Sequence, residues 1–148
     1  MREVIKLSWI IPEAEKLIVT YKTNNPFELA SYLNIHVYEW EFPSEIKCVY
    51  KYYKRNKFIY LNSNLDEKKK AFVCGHKIGH SFIHPKVNTF FLKSKTWYSK
   101  DRLEREAHLF SLSILLHNYK LTAFYNLEHL CRHFGIPTEL SYLVKKFY

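Results

Sequence analysis

The amino-acid sequence predicts one α+β domain, and three observations lead to that class. The chain has 148 residues, which matches the usual size of a single domain, about 100–150 residues. A stretch rich in β-branched and aromatic residues lies between stretches whose apolar residues recur at helical spacing. Hydrophobic residues make up 47% of the chain, with 12 Tyr, 11 Phe and 3 Trp, so a core can form and a disordered chain is excluded.

The first third of the chain predicts two helices. Residues 12–22 carry apolar side chains at the spacing of an amphipathic helix. The pair Asn25-Pro26 is typical of a helix start, because asparagine caps the first turn and proline suits the first helical position. A second, short helix is therefore expected over residues 27–33.

Three strands are predicted next, over residues 35–40, 48–53 and 57–61, which are dense in β-branched and aromatic side chains. Residues 54–56, Lys-Arg-Asn, separate the last two strands by the length of a hairpin turn. We expect a small antiparallel three-stranded sheet packed on the helices.

A long helix is predicted after the strands. Asn64 and Glu67 have the spacing of a capping box, and helical periodicity continues from there to about residue 83. Pro85 is expected to end this helix, because proline cannot continue the helical hydrogen bonding. Residues 86–98 are expected to form an irregular connection.

Three further helices are predicted in the last part of the chain. Ser99 or Asp101 can cap a long helix that continues to about residue 117. Two shorter helices, over residues 122–134 and 137–147, are separated by the break at Gly135-Ile136-Pro137.

The charge and cysteine content indicate a cytoplasmic protein. Lys and Arg number 23 against 14 acidic residues, a net charge of +9, but these cations are scattered along the chain, so nucleic acid is not the expected partner. No apolar run reaches the ~18 residues of a membrane span, and the N-terminus does not have the pattern of a signal peptide. Cys48, Cys74 and Cys131 are odd in number and lack C-x-x-C spacing, which favours a reducing compartment.

The segment around His76 and His80 has the spacing of a metal-binding helix. Two histidines four residues apart project from one helix face, so both imidazoles can reach one ion at about 2.0–2.1 Å. The alternative is an amphipathic helix in which this spacing is a coincidence. Gly75 and Gly79 share another face and would let a neighbouring element approach closely. His84 lies about 12 Å along the helix from His76 and is assigned to polar packing near the helix end.

The next predicted helix can complete the ligand set. Glu104 and His108 are also four residues apart, and a carboxylate from a second helix would give zinc three protein ligands. The alternative is that Glu104 and Glu106 are solvated helix charges.

Four segments in this order resemble the ImmA/IrrE family of zinc metallopeptidase-like proteins, which are common in phages and mobile elements. Residues 23–33 resemble the N-terminal helix signature of that family, and residues 59–62 resemble the strand before its metal helix. Residues 76–84 resemble its H-E-x-x-H-x-x-x-H segment, and residues 104–110 resemble its E-x-x-A-N-x-F segment.

The resemblance implies a gluzincin-type fold and site. Zinc would be the cofactor, with His76, His80 and Glu104 as its ligands and Glu106 as the fallback acid. In the family, the Glu of H-E-x-x-H is the general base that takes a proton from the zinc-bound water.

The sequence departs from the family at two positions of this site. Lys77 occupies the position of the catalytic Glu, and an ammonium group cannot accept a proton. His108 occupies the position of the family's Asn. It is either a fourth metal ligand, which would close the site, or a residue that supports His76 or another ligand from behind.

The resemblance, together with Lys77, implies a regulatory protein of a phage or mobile element. It would be catalytically impaired and would bind a helix-turn-helix-type repressor or antirepressor. The alternative is an active zinc endopeptidase that cleaves such a repressor, either with another group as base or with Lys77 as an engineered change.

A second alternative is DNA binding by the C-terminal helix pair, because residues 127–140 have a helix-turn-helix appearance. The second helix of that pair offers only Lys145 and Lys146 as cations, both at its far end. A helix pair that closes the core is therefore the preferred interpretation.

Overall fold

The computed structural model describes residues 9–83, 89–92 and 102–148, and it confirms the α+β class. Expectations for His84, Pro85, Ser99 and Asp101 lie outside these residues. No helix in the described ranges is long and apolar enough to cross a membrane. The elements, in chain order, are α1 (Ile10–Tyr21), α2 (Pro26–Tyr32), β1 (Ile35–Trp40), β2 (Ile46–Tyr53), β3 (Asn56–Asn62), α3 (Glu67–Ile83), β4 (Thr89–Leu92), α4 (Arg102–Leu115), α5 (Leu127–Phe134) and α6 (Ser141–Val144), with short 3-10 turns at Leu121–Ala123, Thr138–Leu140 and Lys145–Phe147.

The sheet differs from the expected three antiparallel strands. It has four strands in the order β1-β3-β2-β4, and β1 runs parallel to β3. The β2–β3 hairpin forms as predicted, because Lys54 and Arg55 adopt the positive φ angles of 49° and 66° that a tight two-residue turn requires. The hairpin returns β3 to the position beside β1, so the strand that follows β1 in the sequence is not its neighbour in the sheet.

The fourth strand corrects the expectation of an irregular connection at residues 89–92; the other residues of that predicted connection, 86–88 and 93–98, lie outside the described residues. Thr89–Leu92 pairs antiparallel with β2, in a register that shifts between Ile46 and Cys48. A strand of four residues is too short to show a clear alternating pattern in the sequence, and it forms here because β2 offers an edge.

The helix starts are set by asparagine and aspartate side chains. Asn25 Oδ1 accepts hydrogen bonds from the backbone N–H groups of Phe27 (2.9 Å) and Glu28 (3.3 Å), which confirms the predicted cap of α2. The expected capping box at residue 64 is wrong, because Asp66 caps α3 instead: its Oδ1 accepts from the Lys69 N–H at 2.8 Å. Asn64 lies in the preceding turn, where its N–H donates to Asn62 Oδ1.

The C-terminal segment closes the core, as preferred above, but with shorter helices than predicted. Residues 122–134 divide into a 3-10 turn and α5, which begins after Asn126, and residues 137–147 divide into two 3-10 turns around the four-residue α6. A helix of four residues is too short to be the recognition helix of a helix-turn-helix unit. The apolar side chains of the C-terminal segment are buried instead: Leu130, Leu140, Leu143 and Val144 belong to the core.

Helices α3 and α4 pack closely, and their glycine and small residues permit it. A Cβ atom on Gly79 would lie 3.1 Å from both Ala107 Cα and Phe110 Cβ, and one on Gly75 would lie 2.6 Å from Ser111 Oγ. The Ser111 hydroxyl donates a 2.7 Å hydrogen bond to the Phe72 carbonyl and so joins the two helices. The close approach that the two glycines predicted is therefore the approach of α4.

We expect Gly135→Ala to destabilise the protein by at least about 2 kcal/mol in urea unfolding. Gly135 has a φ of +69°, and a Cβ there would lie 2.6–2.7 Å from the Lys68 backbone. The matched control is the difference in stability between Asn118→Gly and Asn118→Ala, because these two variants differ by one Cβ at a similar φ of 65° on the exposed surface. An equal loss in this comparison and in Gly135→Ala would show that the contact with Lys68 contributes nothing.

Candidate metal centre

His76 and His80 both face α4, where they meet the carboxylate of Glu104. The Nε2 atom of His76 lies 3.0 Å from Glu104 Oε2, and the Nε2 atom of His80 lies 2.9 Å from Glu104 Oε1. The two Nε2 atoms are 3.1 Å apart. The structure therefore brings together the three side chains that the sequence predicted as ligands.

This donor set fits a zinc ion. Two imidazole nitrogens and one carboxylate oxygen are ligands that zinc takes at about 2.0–2.1 Å, which separates the ligand atoms of a tetrahedral site by about 3.3 Å. The two Nε2 atoms are 3.1 Å apart, and each lies 2.9–3.0 Å from a different oxygen of Glu104. One ligand atom from each of the three residues lies within 4.8 Å of the other two, so small shifts of these side chains would accommodate the ion. Among the described residues, these three form the group of His, Cys, Asp and Glu side chains close enough to share an ion.

Burial and hydrogen bonding together determine the protonation of these groups. Burial lowers the pKa of His76 well below its usual value, and the neighbouring His108 lowers it further, so His76 is neutral and able to bind a metal. Burial alone would raise the pKa of Glu104, but the hydrogen bonds with His76 and His80 outweigh it and hold that pKa well below its usual range. Glu104 is therefore ionised.

Lys77 is completely buried on the side of α3 that faces the sheet. Ser81, one helical turn further on, hydrogen-bonds with Tyr50 of β2, which shows the direction of this face. Burial lowers the pKa of Lys77, while electrostatic interactions with Cys48 and Glu104 oppose that shift. Burial also raises the pKa of the Cys48 thiol to about 12, so Cys48 is uncharged, and Glu104 is the ionised partner in these interactions.

His108 lies behind His76 rather than among the three donor atoms. Its ring centre is 4.3 Å from that of His76, and its other face stacks at 6.1 Å on Phe72. The fallback ligand Glu106 is also outside the cluster, because its carboxylate binds Arg102 Nε at 2.6 Å.

Sequence reasoning missed two residues that support this site. Ser111 joins α4 to α3 through its hydrogen bond with Phe72, and Cys48 places a neutral thiol near Lys77. The role of Ser111 could have been predicted, because the small residues Ala107 and Ser111 are four apart and indicate a close helix contact. The position of Cys48 depends on how the sheet packs and had no signal in the sequence.

Residues 30–141 match the family model of the IrrE N-terminal-like domain, peptidase M78. The chain belongs to this family. The match confirms the resemblance and the metallopeptidase fold. The chain is 44% identical over 133 residues to "Uncharacterized immunity region protein 2" of Bacillus phage phi105, covering 87% of this chain and 84% of that protein. It is also 25% identical over 133 residues to "Metallopeptidase ImmA" of Bacillus subtilis strain 168, covering 85% and 78%.

We expect the metal-free protein to lose stability as the pH falls below about 6.5, the pKa of an unfolded histidine. Because the folded-state pKa of His76 is lowered, the unfolded chain binds more protons in this range, at a cost of up to about 1.4 kcal/mol per pH unit. The contribution of Glu104, whose pKa is also lowered, is lost only at much lower pH. Urea unfolding in the presence of a chelator, between pH 8 and pH 5, measures the slope. The decrease in unfolding free energy with falling pH should become smaller in His76→Asn and should persist in the exposed control His133→Asn. Equal slopes in the wild-type chain and both variants would contradict the assignment of this pH dependence to His76.

We expect Glu104→Gln to weaken zinc binding by at least about 100-fold, because it removes a ligand charge. Glu106→Gln is the control, since that carboxylate binds Arg102 and should leave zinc affinity unchanged. His108→Asn should weaken zinc binding by about 10–100-fold if His108 only supports His76. Titration of chelator-stripped protein with zinc measures the affinity of all three variants. A loss in His108→Asn as large as that in Glu104→Gln would instead make His108 a fourth ligand.

Proposed function

We propose that this protein is a zinc-binding regulator with a metallopeptidase fold, which has lost efficient proteolysis and acts by binding a helix-turn-helix-type repressor or antirepressor. The observation that carries the proposal is the convergence of His76, His80 and Glu104 beside a buried Lys77. The ligands of a zinc peptidase are present, whereas the residue that would move the proton is replaced.

The replacement removes a chemical step that the metal cannot supply alone. Zinc, when bound, lowers the pKa of its water and polarises the peptide carbonyl. In the family the glutamate accepts the proton of that water and passes it to the leaving amine. The ammonium group of Lys77 has no acceptor site, and it adds a positive charge near the metal ligands.

Lys77 also changes the electrostatic balance of the site. Its positive charge interacts with the carboxylate of Glu104, which a bound metal would otherwise neutralise. A second positive charge near a divalent ion is repulsive, more so in a buried site than in water. We infer that Lys77 lowers zinc affinity as well as activity.

The regulatory role is supported by the relatives. One is named as a phage immunity region protein and another as a metallopeptidase, which together favour a metallopeptidase-fold protein of phage or mobile-element immunity. Repressors act on DNA in the cytoplasm, and the three cysteines of this chain, all free and buried, suit that reducing compartment. Binding without cleavage would let the protein sequester such a repressor.

We expect the wild-type chain to bind a phage helix-turn-helix repressor without cleaving it, and Lys77→Glu to cleave it in a zinc-dependent manner. A general base contributes about 10²–10⁴-fold to the rate, which sets the expected gain. Lys77→Met is the matched control, because it removes the charge without adding a base. It should bind zinc more tightly than wild type and stay inactive.

Zinc titration, repressor co-purification and gel-based cleavage measure these three properties separately. Chelator-sensitive cleavage by the wild-type chain would replace the proposal with an active endopeptidase. Absence of stable repressor binding by the wild-type chain would refute the sequestration role, whatever its zinc content.

A further inference from the structure

The side of the sheet that faces away from α3 carries a continuous group of aromatic and basic side chains. Along each strand, alternate residues point to opposite sides of a sheet. The buried set, which includes Cys48, Tyr50 and Ile59, belongs to the core side. We call the opposite set the outer face; its described members are His36, Tyr38, Trp40, Val49, Lys51, Tyr53, Asn56, Phe58, Tyr60 and Asn62.

Strand register aligns the rings of the outer face in rows. His36 lies opposite Phe58, and Tyr38 lies opposite Tyr60. The ring centres of these pairs are 5.3 and 5.8 Å apart, and those of Phe58 and Tyr60 are 6.2 Å apart, all with interplanar angles below 30°. Rings held in this way form one preordered apolar surface.

The same face stays open to solvent at its margins. Tyr38 is 50% exposed, Trp40 63% and Tyr53 52%, which is unusual for large aromatic side chains. Trp40 and Tyr60, with Phe42 and Val49, line a depression of about 440 Å³ at one end of the rows.

The charge of the outer face has one sign. The ten described outward positions include Lys51 and no carboxylate. The ammonium groups of Lys51 and Lys54 lie 5.0 and 5.3 Å from the centre of the Tyr53 ring, and Arg55 completes the hairpin turn beside them. Glu39 points to the other side of the sheet, where it binds Lys70 at 2.5 Å.

The acidic residues of this region lie at the opposite end. Glu41 and Glu45 belong to the exposed β1–β2 loop, next to Trp40 and away from the hairpin turn. The face therefore has positive charge at its hairpin end and negative charge beside its other end, with aromatic rings between them.

We propose that the outer face binds a single-stranded nucleic acid. Exposed rings offer stacking surfaces to unpaired bases, and cations beside them bind phosphates, the combination by which sequence-tolerant single-strand binders work. The hairpin cations would hold the phosphates, and the depression at Trp40 would receive a base. The described outward positions carry a cation and no carboxylate, and the hairpin turn adds Lys54 and Arg55, so the hairpin end of the face complements a polyanion. This activity is independent of the metal centre, which lies on the other side of the sheet.

The first test removes exposed rings. We expect Trp40→Ala and Tyr38→Ala each to weaken binding of a fluorescein-labelled oligothymidylate of about 12 nucleotides by at least about 10-fold. Tyr125→Ala is the control, because Tyr125 is 92% exposed but lies outside the sheet and should leave binding unchanged. Fluorescence anisotropy of the full chain at low salt measures the affinity, and zinc titration and circular dichroism confirm that each variant is folded.

The second test separates a specific site from the net charge of the chain. The double variant Lys54→Ser, Arg55→Ser and the control double variant Lys145→Ser, Lys146→Ser remove the same charge. Only the first should weaken binding substantially and reduce its salt dependence.

Three results would overturn the proposal: no binding by the wild-type chain at low salt, unchanged affinity in both ring variants, or equal losses in the two charge variants. Self-association that disappears in Trp40→Ala, without oligothymidylate binding, would assign the face to a second copy of the chain.

Discussion

Helices α3 and α4 lie so close together that a side chain on Gly79 would touch the α4 backbone, and the candidate metal centre depends on this approach. On α3 the two glycines alternate with the two histidines, each set four residues apart, so the small and the ligating residues form adjacent stripes. On α4 the spacing repeats, with Ala107 and Ser111 beside Glu104 and His108. The contact of the small stripes sets the distance at which the ligating stripes meet.

The largely buried carboxylate of Glu104, 12% exposed, imposes the second constraint. An ionised acid in a protein interior must be paired, because desolvation is costly. In this chain His76 and His80 bind its two oxygens and Lys77 adds a positive charge from the next position of α3. The negative charge of Glu104 is thus balanced in part by Lys77. A glutamate at position 77 could not provide this positive charge. Lys77 therefore contributes to the charge balance of Glu104.

The sheet separates two kinds of surface. Its inner face contributes Cys48 and Tyr50 to the neighbourhood of α3 and is buried. Its outer face presents rings and cations to solvent without contacting the metal centre. Because successive residues of one strand serve opposite faces, β2 takes part in both: Cys48 and Tyr50 point inward, and Val49 and Lys51 point outward.

Local signals were sufficient for much of this protein. The cap of α2 at Asn25, the β2–β3 hairpin and the histidine pair each depend on residues within a few positions of one another, and such interactions are visible in sequence. The resemblance to the family selected Glu104, rather than Glu106, as the third predicted ligand. The glycines of α3 indicated that another element packs closely against this helix, but the sequence did not identify that element as α4.

Tertiary structure decided which distant groups meet. The position of β1 beside β3 and the pairing of β4 depend on contacts between segments far apart in the chain, for which local pattern has no information. Glu104 and Glu106 are two residues apart on α4 and so project about 200° apart around the helix; only the packing of α4 on α3 shows that the first faces the histidines and the second faces Arg102. The same packing puts His108 behind His76, because the rotation of a helix about its axis is set by the surface it buries and not by its own sequence alone.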